Sequence, residues 1–284
     1  MIKIIGFDLD DTLLNSKKEI GDKEAILKAI DNGVKIVFCS GRPLVKQTID
    51  YYKELGLSQD TYYVAYNGVV IYNVGTGNIE YMNNLNNEDL LKIYQIVKQE
   101  IDELNCNNTK EGFSKEGFSK EGYSLYIHYN NTVYTDRHNF FVDLEHQYNH
   151  IDVIEREFWL DDSIAHKFMI GADPKDINKL YQLIKDKFTD YTCLISMPCF
   201  IEIFKKDADK YQGLVKVAKM YGINENEIMA FGDSMNDYPM IKNAYVGVAM
   251  GNSVDKIKEV SDYVTDDNNH YGITKALKKY NVID

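Results

Sequence analysis

Asp8 and Asp10 stand two residues apart in the run Asp8-Leu9-Asp10-Asp11-Thr12-Leu13. In an extended segment, side chains at i and i+2 point the same way, so these carboxylates can converge while Leu9 and Asp11 turn elsewhere. Two carboxylates in close quarters repel unless a proton or a cation sits between them. A Mg2+ ion, which takes a few oxygen ligands together with water and phosphate, would relieve that repulsion. One carboxylate could then attack phosphorus while the other moves protons. The same run also suits a solvated acidic turn in which Asp11 or Thr12 caps a helix.

Three further segments carry groups of the same kind. Ser40-Gly41-Arg42 offers a hydroxyl and backbone N–H groups that suit a phosphate oxygen at a helix start. Ordinary N-capping by Ser40, with Gly41 serving the turn, explains the same residues. In Gly232-Asp233-Ser234-Met235-Asn236-Asp237, Asp233 and Asp237 could face one metal and Asn236 could donate to a phosphate oxygen. Two Asp and an Asn in six residues exceed what a cap requires. Lys210, in Asp207-Ala208-Asp209-Lys210, would neutralise phosphate charge and hold a nucleophile ionised. No spacing signal selects it from the other lysines. Of the 32 basic residues only Arg42, Arg137 and Arg156 are arginine.

These segments need elements to position them. Residues 2–7 are short and almost wholly apolar, which predicts a buried parallel strand ending at Asp8. Helical spacing follows at about 22–32, with Gly33 as its stop, and then a second buried strand at 34–39 ending at Ser40. Pro43 is placed at the first turn of a helix running to Leu55. A strand at 62–65 leads through the turn signal Asn67-Gly68 into another at 69–72. The C-terminal part repeats the alternation: helix to Gly222, strand at 228–231, helix, strand at 245–249, helix, strand at 263–265 and a last helix. Alternating strands and helices predict a doubly wound, Rossmann-like parallel sheet. In such a sheet the strand ends share one rim, where ligands bind, so the polar clusters should meet in one cleft.

The middle of the chain reads differently. A long helix at about 87–104 precedes β-rich runs at 125–129 and 132–135, a helix at 137–149, a strand at 167–170, a helix at 177–188 and a hairpin at 192–204. This is an α+β pattern. It predicts a second domain at 83–205 inserted into a core made of 1–82 and 206–284, with hinges near 80–85 and 204–209. Within it, Lys110-Glu111-Gly112-Phe113-Ser114 recurs as residues 115–119 and, with Tyr123 for Phe, as 120–124. Five residues are too few for a solenoid unit, so the repeat reads as an exposed loop. Phe113, Phe118 and Tyr123 are candidates to touch a substrate.

Composition narrows the partners. The 284 residues are 44% hydrophobic, enough for a substantial core, and carry a formal net charge of −12. That charge disfavours nucleic acid, whose phosphates need clustered Lys and Arg. A small phosphorylated substrate remains open, because a metal ion supplies local positive charge. Cys39, Cys106, Cys193 and Cys199 form no C-x-x-C pair, which favours reduced thiols. No stretch approaches the ~18 apolar residues of a membrane helix, and no signal peptide is evident. The expectation is a cytoplasmic protein with no membrane partner. Oligomeric state is not legible.

Taken in order, the run at Asp8, Ser40-Gly41-Arg42, Lys210 and Gly232–Asp237 resemble the four motifs of the haloacid dehalogenase-like superfamily. The inserted middle domain is similar to the class IIB cap of its Cof-like phosphatases. So are Tyr245-Val246-Gly247-Val248-Ala249-Met250-Gly251-Asn252 and Asn67-Gly68 before the insert. The resemblance implies that Asp8 attacks phosphorus and becomes an aspartyl phosphate, while Asp10 protonates the leaving alcohol and then activates water. It implies Mg2+ held by Asp8, the main-chain carbonyl of Asp10 and Asp233, with Asp237 supporting the metal's water shell. Ser40, Lys210 and Asn236, with the backbone of Leu9 and Gly41, would hold the phosphoryl group. Arg42 is left between facing a second anionic group of the substrate and joining cap to core. Asp11 stands where many relatives have Gly, and the repeat has no family counterpart. The function implied is a phosphatase for small phosphate monoesters such as sugar phosphates. A phosphosugar mutase or phosphotransferase would use the same core, and a phospho-acceptor module without turnover is a third reading, which Asp10, Lys210 and the cap oppose.

Overall fold

The computed structural model describes residues 1–57, 60–110, 122–149, 151–159 and 163–284. The described residues divide into two compact units, Met1–Met82 with Ala208–Asp284, and Asn83–Asp207. Most of the repeat, residues 111–121 with Phe113 and Phe118, lies outside the described residues.

The first unit is built on β1 (Ile4–Phe7), α1 (Lys23–Asp31), β2 (Lys35–Cys39), α2 (Lys46–Glu54), β3 (Tyr62–Ala65), β4 (Val70–Asn73) and β5 (Ile79–Met82). With β12 (Ile228–Gly232), β13 (Val246–Ala249) and β14 (Tyr263–Val264) from the end of the chain, its strands run β14-β13-β12-β1-β2-β3-β4-β5 across one sheet. From β14 to β3 neighbours are parallel, and β3, β4 and β5 turn back on one another as an antiparallel edge. All four residues of β1 are buried, the signature of a strand covered on both faces. β1 lies between β2 and β12, with Phe7 opposite Phe38 on one side and Phe231 on the other. The Phe7 and Phe231 rings stack at 4.9 Å.

After the second unit the chain supplies α6 (Lys210–Met220), β12 (Ile228–Gly232), α7 (Tyr238–Asn243), β13 (Val246–Ala249), α8 (Asp255–Val260), β14 (Tyr263–Val264) and α9 (Gly272–Lys279). The doubly wound parallel core thus matches the alternation of the sequence. One boundary moves: α2 begins at Lys46, not at Pro43. Val45 is extended at φ −107°, and the Arg42 carbonyl accepts the Tyr66 N–H at 3.3 Å and the Tyr63 hydroxyl at 2.9 Å. Tertiary hydrogen bonds thus take a carbonyl that a helix would have used, and Pro43 stands ahead of the helix rather than in it.

The second unit contains α3 (Asn87–Lys110), β6 (Ser124–Tyr129), β7 (Thr132–Thr135), α4 (Phe140–Asn149), β8 (Asp152–Glu155), β9 (Lys167–Gly171), α5 (Pro174–Ile184), β10 (Tyr191–Met197) and β11 (Phe200–Lys205). Its sheet runs β10-β11-β9-β6-β7-β8, antiparallel except for β7 with β8. Leu90, Ile93 and Val97 of α3 and Ile177, Leu180 and Ile184 of α5 pack with Ile127, Phe168, Ile170, Ile201 and Ile203 from the sheet. β5 and β8 were not legible as strands: their burial is largely exposed or partial, so no clean apolar pattern marks them. Tyr123 packs against this core and its hydroxyl meets the Asp176 carbonyl at 3.4 Å. Among the described residues no helix is long and apolar enough to cross a membrane.

The burial pattern has a direct test. Phe168→Ala removes a fully buried ring and should cost about 3–5 kcal/mol. Leu183→Ala, on the exposed side of α5, should stay within about 0.5 kcal/mol. Urea unfolding of both variants measures the contrast.

Candidate active site

The register of the sheet brings the polar clusters together. Asp8 extends the ladder by one step, its N–H bonding the Phe231 carbonyl at 3.1 Å, so it lies beside the end of β12. Beyond Asp8 the chain leaves the sheet in a turn, with Leu13 N–H on the Asp8 carbonyl and Leu14 N–H on that of Leu9. Asp11, at φ +58°, makes the left-handed bend that this turn requires, a conformation Asp tolerates better than most residues. Ser40 N–H bonds the Val64 carbonyl at 2.9 Å where β2 ends.

Lys210 enters from α6. Asp209 caps that helix, accepting the Gln212 N–H at 2.8 Å, and so fixes where its first turn begins. The Lys210 side chain is fully buried, and its Nζ lies 2.6 Å from Asp8 Oδ1 and 2.6 Å from Asp237 Oδ1. Asp237 spends its other oxygen on the loop after β12, accepting the N–H groups of Asp233 and Ser234 at 3.0 Å each. Asp233 Oδ1 accepts the Thr12 hydroxyl at 3.0 Å. Oxygens of Asp8, Asp233 and Asp237 all lie within 4.8 Å of one another.

One ammonium therefore stands among three carboxylates, in a buried place. Burial pushes the Asp8 carboxyl well above the ordinary aspartate value; Lys210 pulls it back, while the charges of Asp237 and Asp233 add to the rise. Burial and the Asp237 charge push Asp233 up to about 7. Burial works against the charge of Lys210, yet Asp237 and Asp8 hold it above the ordinary lysine value. The cluster is short of positive charge. Its donors are hard carboxylate oxygens, the set that suits a divalent cation such as Mg2+ or Ca2+.

Asp10 is placed differently. Its carboxylate is half-exposed, and Oδ1 is paired with the Arg42 guanidinium at 2.7 Å and the Lys18 ammonium at 2.9 Å. Arg42, which the sequence left between two roles, is thus a partner of Asp10. Ser40 does not cap α2, which starts at Lys46; its Oγ accepts the Arg42 N–H at 3.2 Å within the turn. Gly41 lies in that turn, against the side chain of Asn67. Asn236 donates to Asn67 Oδ1 at 3.3 Å and accepts the Ser234 hydroxyl at 2.5 Å. Thr12, Lys18 and Asn67 were not picked out as functional residues from sequence. Asn67-Gly68 was read as a turn and as part of the resemblance, with no role given to either residue, and a lone Thr or Lys has no spacing to betray it.

A family profile described as haloacid dehalogenase-like hydrolase matches residues 5–277. The chain belongs to this family. It is accordingly an enzyme, a haloacid dehalogenase-like phosphatase, and relatives carry that name. The putative phosphatase YxeH of Bacillus subtilis is 29% identical over 283 residues, covering 98% of this chain and 97% of that protein. The 5-amino-6-(5-phospho-D-ribitylamino)uracil phosphatase YcsE of the same organism is 30% identical, covering 98% and 96%. A crystal structure of a haloacid dehalogenase-like hydrolase from Bacteroides thetaiotaomicron superposes with a TM-score of 0.75 at 27% identity, covering 99% of this chain and all of that one.

The raised carboxyl of Asp233 makes stability depend on pH. Unfolded aspartate titrates near about 4, so the fold holds this proton more tightly between about pH 4 and pH 7. The contribution is present at the lower end and is lost as pH rises through about 7. In chelator, Asp233→Asn should therefore gain stability relative to the native protein as pH rises across that window, and the gain should level off above it. Thermal midpoints of both proteins from pH 4.5 to 8.5 measure it; a gain in the opposite sense would show that Asp233 is not held protonated.

Proposed function

We propose that this enzyme is a Mg2+-dependent phosphatase that hydrolyses small phosphate monoesters, such as sugar phosphates or similar metabolites, through an aspartyl phosphate on Asp8. One observation carries the reading. Asp8 lies at the end of the central strand with a buried ammonium 2.6 Å from one oxygen and two further carboxylates in the same cluster. A buried lysine beside a carboxylate favours its ionised form and neutralises an arriving phosphate.

In the first step Asp8 attacks phosphorus and the bond to the leaving alcohol breaks. Asp10 gives that alcohol its proton. In the second step Asp10 takes a proton from water, the water oxygen attacks phosphorus, and the Asp8–phosphate bond breaks to free inorganic phosphate. Lys210, Ser40 and Asn236, with the backbone N–H groups of Leu9 and Gly41, hold the phosphoryl oxygens. Arg42 and Lys18 tether Asp10 where the chain leaves β1. Asp8 and Asp233, the main-chain carbonyl of Asp10, and Asp237 behind them would hold the Mg2+. When bound, the ion offsets the excess carboxylate charge and polarises a phosphate oxygen.

The unit Asn83–Asp207 is proposed as a cap domain that sets substrate choice, opening to admit substrate and closing against water. Its insertion as a separate compact unit supports this. The name of YcsE, whose substrate is a phosphorylated ribityl compound, supports a small phosphorylated metabolite. The proposed setting is cytoplasmic, in keeping with the free thiols of Cys39, Cys193 and Cys199.

A panel of phosphate monoesters, assayed for free phosphate with Mg2+ present, tests the reading. EDTA should abolish release and added Mg2+ should restore it. Asp8→Asn should lower kcat at least about a thousandfold without altering the circular dichroism spectrum. Full activity in that variant would overturn the assignment of Asp8. An isomeric phosphosugar in place of free phosphate would identify a mutase.

A further inference from the structure

The turn Tyr66-Asn67-Gly68 lies between β3 and β4, outside the segments that carry Asp8, Ser40, Lys210 and Asp233. Its three residues all have positive φ, at 51°, 55° and 98°. A left-handed tyrosine costs on the order of 1–2 kcal/mol. Tyr66 and Asn67 are also buried. Such a conformation persists only where the surroundings over-determine it.

Those surroundings are the phosphate-holding segments of the proposed site. The Asn67 N–H bonds the Ser40 carbonyl at 2.9 Å, and the Tyr66 N–H bonds the Arg42 carbonyl at 3.3 Å. At Gly68 a Cβ would sit 2.1 Å from the Asp209 carbonyl oxygen, so this turn packs directly on the start of α6, beside Lys210. The Asn67 side chain reaches two segments at once. Its Oδ1 accepts from Asn236 Nδ2 at 3.3 Å, and it lies 3.2 Å from where a Cβ on Gly41 would be.

We propose that Asn67 is a positioning residue for the bound phosphoryl group, acting through Asn236. The inference rests on the phosphatase reading. An amide has two N–H donors and one carbonyl acceptor, and its two ends differ only in chemistry. In Asn236 the carbonyl end is taken by the Ser234 hydroxyl and one N–H by Asn67 Oδ1. This pair of bonds fixes which end of the amide faces which way. It leaves one N–H as the group Asn236 can offer an anion. Without the Asn67 acceptor the amide is free to flip and present its carbonyl oxygen, which repels a phosphate oxygen. Asn67 is suited to the post because Asn tolerates φ near +55° while carrying an acceptor.

The test is a double-mutant cycle. Asn67→Gly keeps the left-handed backbone and removes only the side chain; Asn67→Ser serves as a second variant, because its hydroxyl is too short to replace the amide. With a monoester that the native enzyme hydrolyses, each should lower kcat/KM about tenfold or more and weaken inhibition by inorganic phosphate in parallel. Asn236→Ala should do the same. The key expectation is coupling: Asn67→Gly added to Asn236→Ala should cost no more than about a further threefold. A full loss in that background, or an unchanged single variant of native thermal midpoint, would overturn the inference and leave the phosphatase reading standing. A native enzyme that releases phosphate from no monoester would overturn both.

Discussion

The ammonium of Lys210, fully buried and 2.6 Å from both Asp8 and Asp237, is the contact on which the rest of the core's chemistry depends. Stripping water from an ammonium and two carboxylates is costly, and only close pairing makes it tolerable. Removing Lys210 would leave two buried carboxylates without compensation. The pairing also has consequences beyond itself. Asp237 can anchor the loop after β12 through Asp233 and Ser234 only because its other oxygen is neutralised by Lys210. The charge count then remains negative, with three carboxylates against one ammonium. The geometry that stabilises the loop also gathers carboxylate oxygens of Asp8, Asp233 and Asp237, a donor set that suits a divalent cation.

Sheet order explains why this cluster forms at β1 and not elsewhere. β1 is flanked by β2 and β12, so the segments leaving these three strands emerge side by side. Asp8, Ser40 and Asp233 come from positions far apart in the chain, yet each follows the last residues of its strand. α6 then carries Lys210 across to the same place. Its approach over the sheet is close: a Cβ on Gly6 would lie 2.4 Å from Leu214 Cδ2, so a larger residue there would force that side chain to move. The buried ladder provides rigidity, and the turns beyond it provide the polar atoms.

The second unit solves a different problem. One side of its sheet is an apolar core under α3 and α5. Side-chain alternation puts Tyr126, His128, Lys167, Met169 and Glu202 on the other side. There Lys167 pairs with Glu202 at 2.9 Å, and His128 lies 3.1 Å from Glu145 of α4. All four of these groups are buried. Burial pushes His128 below its ordinary value, against the pull of Glu145. The His128–Glu145 contact joins α4 to the sheet, whereas Lys167 and Glu202 pair between the neighbouring strands β9 and β11.

The sequence by itself determined the alternation of buried strands and helices, because apolar runs and glycine stops are local signals. It also determined that Asp8, Ser40 and Asp233 follow strands, and this was enough to place them on one rim of a parallel sheet. Resemblance to a family added Lys210, which no local signal could select. Only the tertiary structure decided the partners. Arg42 pairs with Asp10, Thr12 with Asp233, and Asn67 with Asn236, and in two of these three pairs the partners are more than 150 positions apart. It also decided that Pro43 lies ahead of α2 rather than in its first turn, since the Arg42 carbonyl is bonded from β3 and the turn after it. The physical reason is common to all of these. Periodicity records which side of an element faces the core, whereas a hydrogen bond or ion pair between distant segments depends on register and packing that no single segment encodes.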